Sequence, residues 1–185
     1  MNTDTPVAAS PLAAAIDTAA QAVLDRVTAW RRDFHAHPEL GNNAQLGQKL
    51  GLVATSRFGE QDLGFMGGRT DGLAFDSAQD LAKHLEFIVN RPVTTVSIAQ
   101  TAIKKIAWCS GGAQGYFESA IAAGAEAFIT GEMSEPQAHY ARECGVAYLA
   151  CGHHASERYG TPAVAAHVAQ QLGLQHEFID IDNPA

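Results

Sequence analysis

From residue 103 onward, short apolar runs alternate with longer helix-like segments, and this alternation limits the fold more than any other feature of the chain. Strands are expected at residues 103–109, 125–130, 146–150 and 177–181, with helices at 115–123, 134–144 and most of 155–172 between them. A strand, a helix and a second strand in succession bring the second strand back parallel to the first, with the helix covering one face. The expectation is an α/β protein with a largely parallel sheet clothed by helices.

The upstream part is less regular. Residues 93–98 carry a β-branched strand signal. Asp76 or Ser77 is suited to cap a helix that runs to Val89 through Leu81, Leu85 and Ile88. Residues 52–75 are glycine-rich with short apolar runs and read as strand, turn, strand, while 43–50 read as a short helix closed by Gly51. Near the start, Ser10-Pro11 suits an N-cap followed by a first-turn proline. Ile16, Ala20, Val23, Val27, Trp30 and Phe34 then recur at steps of four and three, one stripe on a helix that Pro38 terminates. Such a stripe packs on its own domain or on another subunit.

Composition narrows the function. Of 185 residues, 46% are hydrophobic and 17% charged, which fits a packed globule. The net charge of -8 argues against nonspecific nucleic-acid binding, which needs a cationic surface. No apolar run approaches membrane-spanning length, and the first residues lack the basic start of a signal peptide. Cys109, Cys144 and Cys151 show neither C-x-x-C spacing nor an even-numbered framework, so reduced thiols in a cytoplasmic protein are expected.

Residues able to carry chemistry gather at the ends of the expected strands, where open α/β sheets place their sites. Cys109-Ser-Gly-Gly-Ala-Gln-Gly115 joins a strand to a helix. Its backbone N–H groups could hold an anion, and its glycines equally serve a tight turn or the close approach of a substrate. Gly152-His-His-Ala-Ser-Glu-Arg158 opens a helix after the strand at 146–150. His153 and Glu157 are four apart and share a helical face, and such a pair suits a divalent metal such as zinc or manganese. The plainer alternative is a histidine cap, with Glu157 paired to Arg158. Glu132, in Thr130-Gly-Glu-Met-Ser-Glu135, could serve the same crevice as a catalytic acid–base group or behind a metal ligand; it could equally favour the helix start, which Ser134 is suited to cap. His35 and His37 share a side if the chain is extended at Pro38; they suit a metal, or a solvated loop. Neither G-x-S-x-G nor H-E-x-x-H occurs, and the cysteines show no partner for nucleophilic work.

Five strings add a resemblance. They are His37-Pro-Glu-Leu-Gly-Asn-Asn-Ala-Gln-Leu46, Ala107-Trp-Cys-Ser-Gly-Gly-Ala-Gln-Gly115, Ala127-Phe-Ile-Thr-Gly-Glu-Met-Ser-Glu135, Gly152-His-His-Ala-Ser-Glu-Arg158 and Phe178-Ile-Asp-Ile-Asp-Asn-Pro-Ala185. Their order and spacing resemble the Nif-three-like dinuclear-metal-centre family, particularly its YbgI-type bacterial members, the GTP cyclohydrolase 1 type 2 homologues. The resemblance covers about residues 37–185. It implies a three-layer α/β/α fold of two intertwined halves, a homohexamer, and a site for divalent zinc, manganese or iron facing an internal cavity. The ligands it implies are a His-His pair in the first half, an aspartate before the Pro-Glu-Leu-Gly-Asn-Asn string, and a histidine and glutamate near the end. The last two fall on His153 and Glu157, and His35 stands at the aspartate position. The family's first half, with its His-His pair, has no counterpart here. Histidine can bind zinc but cannot bridge two metals as a carboxylate does, so part of a dinuclear centre is implied.

A second resemblance covers about residues 10–41: Val27-Thr-Ala-Trp-Arg-Arg-Asp-Phe-His-Ala-His-Pro-Glu-Leu-Gly41 is similar to the N-terminal helix of zinc amidohydrolases. The expected organisation is an N-terminal helix at 1–36 joined, as in a fusion, to a Nif-three-like α/β region at 37–185. The function this implies is a metal-dependent hydrolase, with Glu132 as the catalytic candidate and His153, Glu157 and His35 as ligands, acting on a small molecule. The alternative is a non-catalytic metal-binding or assembly protein with an incomplete site. Half of an intertwined fold would leave apolar sheet exposed, so oligomerisation or poor solubility is expected.

Overall fold

The computed structural model describes residues 15, 18–25, 28, 29, 41–98, 101–181 and 183. The chain divides into two units, Met1–Pro38 and Glu39–Ala185. In the first, the described residues are helical, and Ala20 and Val23 of the expected stripe are exposed. Ile16, Val27, Trp30, Phe34, His35 and His37 lie outside the described residues. The sheet and the candidate site belong to the second unit.

Its elements are α1 (Asn42–Lys49), β1 (Leu52–Phe58), β2 (Gly64–Arg69), α2 (Ala78–Val89), β3 (Thr94–Val96), β4 (Ile106–Trp108), α3 (Phe117–Ala122), β5 (Ala127–Thr130), α4 (Glu135–Cys144), β6 (Ala147–Ala150), α5 (His153–Glu157) and α6 (Gly160–Leu172). Ser77 starts α2 as its composition suggests: its backbone is extended and its hydroxyl accepts the Asp80 N–H at 3.2 Å. Ser134 takes the same place before α4 but makes no capping bond with its side chain.

Six strands form one sheet in the order β1-β2-β4-β5-β6-β3. β4, β5 and β6 are parallel, as the strand–helix alternation requires. The sheet as a whole is mixed rather than largely parallel, because β1 with β2, β2 with β4, and β3 with β6 are antiparallel. The connection at residues 59–63 is too short for a crossover, so β1 and β2 can only form a hairpin. The expected strand at 177–181 does not form. β6 already has β5 on one side and β3 on the other, so no edge is open where the repeat would continue. Asp180 is tied instead to Arg158 at 2.9 Å and faces His154 at 3.5 Å, leaving Phe178, Ile179 and Ile181 exposed.

Side chains along a strand point alternately to opposite faces, and over β4, β5 and β6 both faces are covered, whereas most of β1 is exposed. Ile106, Trp108, Ala127, Ile129, Ala147 and Leu149 pack on one side against Leu46 of α1, Leu81 and Leu85 of α2 and Ala155 of α5. Ala107, Phe128 and Tyr148 pack on the other against Phe117 and Ala120 of α3 and Ala141 of α4. Phe117 and Tyr148 meet edge to face with ring centroids 4.8 Å apart. Helices, sheet and helices make the three-layer α/β/α arrangement. No helix among the described residues is long and apolar enough to cross a membrane.

Candidate functional site

The three parallel strands end together, and the residues just beyond them continue the hydrogen-bond ladder. Gly131 N–H donates to Gly111 C=O, and Gly152 N–H to Gly131 C=O, each at 2.9 Å. The buried Thr130 hydroxyl also donates to Gly111 C=O, at 3.1 Å. Glu132 follows Gly131 and His153 follows Gly152, so the ladder sets these two side chains beside each other.

His153 is the first residue of α5, and its two ring nitrogens face different carboxylates. Nδ1 lies 2.5 Å from Glu132 Oε1. Nε2 lies 3.2 Å from Glu157 Oε2, one helical turn along α5. Glu132 is itself fixed: its other oxygen accepts from Gln114 Nε2 at 3.3 Å, and its backbone C=O accepts the Tyr148 hydroxyl at 2.6 Å. The Glu132 bond raises the imidazole above its ordinary pKa, with the Glu157 charge adding to the effect. The same bond holds the Glu132 carboxyl below its usual range.

The Cys109–Gly115 loop covers this group. Gly111 has φ +70°, which favours glycine, and a methyl there would displace the Glu157 carboxylate and come within 3.3 Å of His153 Nε2. Gly111 N–H donates to Ser156 Oγ at 2.9 Å, which withdraws that donor from any anion. Asn43 of α1 secures the loop from the other side. Its Oδ1 accepts the Ser110 N–H at 2.6 Å, and its C=O accepts Trp108 Nε1 at 2.8 Å.

The structure therefore brings Glu132, His153 and Glu157 together, while His35 lies outside the described residues. His154 faces Asp180 instead. Cys109 and Cys151 are buried; burial pushes the Cys109 thiol up and the Cys151 thiol to about 12, so both stay protonated. Ser156, Gln114 and Asn43 are additions that sequence reading missed. The i, i+3 spacing from His153 to Ser156 was the one local signal among them.

Crevices open on both edges of the imidazole. One of about 610 Å³ is lined by Arg91, Thr94, Glu132, Ser134 and His153 among others. Another of about 350 Å³ is lined by His153, Glu157, Thr161 and Phe178 among others. On the second side, an imidazole nitrogen and a carboxylate form a donor set that suits a divalent transition metal. A carboxylate on the far ring nitrogen is the usual partner of a metal-bound histidine. Glu132 is on the opposite ring edge from Glu157 and cannot share a metal with it through this rotamer. Among the described residues, no group of three or more His, Cys, Asp or Glu converges on one point.

Fold and site together define a three-layer α/β protein with a histidine bracketed by two carboxylates at the carboxyl ends of its parallel strands. The chain belongs to the Duf34/NIF3 (NGG1p interacting factor 3) family, whose sequence profile matches residues 33–184. It is 44% identical over 150 residues to a Neisseria meningitidis protein named GTP cyclohydrolase 1 type 2 homolog, covering 81% of this chain and 59% of the relative. An Allochromatium vinosum protein of the same name is 41% identical over 158 residues, with 85% and 61% covered. Among solved structures, protein ybgI, described as of unknown function, superposes with a TM-score of 0.74 at 39% identity, over 81% of this chain and 59% of that one. The chain thus spans about three-fifths of the length of the curated relatives it matches.

Proposed function

We propose that His153 Nε2 and Glu157 hold a divalent transition metal (zinc, manganese or iron) in a metal-dependent hydrolase that acts on a small molecule. One observation carries the reading. Glu132 occupies Nδ1, which leaves Nε2 turned to the side where Glu157 stands. A bound metal would polarise an electrophile and ease ionisation of water. Glu132 keeps a proton on Nδ1 and so presents the lone pair of Nε2. Its second oxygen, beside Gln114, makes it the acid–base candidate of the site. Because its pKa is lowered, it accepts protons weakly, and orienting His153 is its larger role. His35, the third ligand that the resemblance implies, lies outside the described residues. The hydrolase class draws support from the name its relatives carry. Assembly as a homohexamer in the cytoplasm belongs to the same reading.

Metal analysis after loading with zinc or manganese and exhaustive dialysis tests it. The expected result is retained metal in the wild type and loss in both His153→Ala and Glu157→Ala. A wild-type protein that keeps no metal overturns the reading. That only two donors converge among the described residues favours a second reading, a non-catalytic metal-binding or assembly protein. Equal background turnover of GTP by the wild type and His153→Ala would select it.

A further inference from the structure

Ser156 is fully buried on α5, between the two side chains assigned to the metal. Its hydroxyl faces backbone. It accepts the Gly111 N–H at 2.9 Å and donates to the His153 C=O at 2.9 Å. Both functions of one hydroxyl are thus used to join the loop after β4 to the first turn of α5. Gly111 passes the connection on, since its C=O takes the Gly131 N–H and the Thr130 hydroxyl at the end of β5. A Cβ at Gly111 would meet the Glu157 carboxylate and come within 3.3 Å of His153 Nε2, so the loop backbone borders the space open to both. Without the Ser156 hydroxyl, the buried Gly111 N–H has no partner, and the loop shifts to find one.

We propose that Ser156 is a positioning residue for the His153–Glu157 pair, holding Gly111 against the imidazole edge so that Nε2 and the carboxylate face each other. The assignment rests on the metal reading of that pair, but the network exists without metal and is tested without it. The experiment is NMR on the metal-free full chain at fixed pH, reading the His153 ring nitrogen shifts and the Gly111 amide exchange rate. In Ser156→Ala, the ring shifts move from the pattern of a proton held on Nδ1, and Gly111 exchange quickens by about tenfold, the scale of one lost hydrogen bond. Ser156→Thr restores both, because threonine in a helix keeps a hydroxyl able to bond the carbonyl three residues back. Zinc affinity falls about tenfold or more in the alanine variant and recovers in the threonine variant.

A folded Ser156→Ala protein with wild-type ring shifts and Gly111 exchange overturns the proposal. So does a wild-type Gly111 amide that exchanges as in an open chain. If Ser156→Ala fails to fold, Ser156→Thr decides: wild-type signals support the role, and displaced signals in a folded protein overturn it. If the wild type binds no zinc while the NMR changes occur as expected, the metal reading falls and the positioning role stands.

Discussion

Gly111 is a residue at which the site tolerates little. Its φ of +70° costs another residue about 1–2 kcal/mol in the backbone alone, before its methyl meets Glu157. Gly111→Ala is therefore expected to lose at least about 1–2 kcal/mol of stability in urea titration, and its zinc uptake with it. His153 and Glu132 give a pH signature. The raised imidazole pKa stabilises the fold below the ordinary histidine value and is lost as pH rises through the folded value. The lowered Glu132 pKa stabilises above the ordinary carboxylate value and is lost as pH falls through the folded value. Melting curves of the metal-free protein should thus decline on the alkaline side from about pH 6.5 upward. Glu132→Gln should flatten that decline. Metal affinity should run the other way and strengthen as pH rises, because the proton on the imidazole must leave first.

Secondary-structure elements divide by how locally they are specified. α2 was legible as a helix, its start narrowed to Asp76 or Ser77 and settled on Ser77 by the structure, because the capping residues and the spacing of Leu81 and Leu85 are local signals. Ser77→Ala should cost about 1 kcal/mol, read as a lower denaturation midpoint. β4, β5 and β6 were legible as strands, and their continuous apolar runs follow from burial on both faces. The strand order was not, since the β3–β6 pairing joins residues far apart in sequence and depends on which edges remain open. The segment at 177–181 has a strand-like composition, but β5 and β3 already flank β6, where the alternation would continue, and composition alone cannot reveal that. His153 and Glu157 stood out in sequence because they share one short helix. The Glu132 contact could be named only as a reach between strand ends. Asn43 was invisible as a clamp, since its role depends on Trp108 and Ser110 far along the chain. Trp108→Ala should cost about 3–5 kcal/mol by calorimetry or urea titration and should also release the Asn43 clamp.

At the scale of the whole molecule, exposed apolar side chains and two packed layers decide behaviour. Phe87 is 84% exposed, and Ile179 and Ile181, two apart in one segment, are 73% and 72% exposed, apolar side chains that a second copy could cover. Sedimentation is expected to show species larger than a monomer, and the double change Ile179→Ser with Ile181→Ser to shift them toward smaller mass. An unchanged distribution would place the contact elsewhere. The sheet also separates the two cores, so cavities cut in each, Leu85→Ala on one side and Phe117→Ala on the other, should sum independently in their effect on stability. They meet again at one bond. His153 rides on α5, whose Ala155 is packed in the first core, whereas Glu132 is held by the hydroxyl of Tyr148 from the second. The 2.5 Å contact between them is therefore a strain gauge stretched across the sheet, on which loosening of either layer registers even when the other is intact.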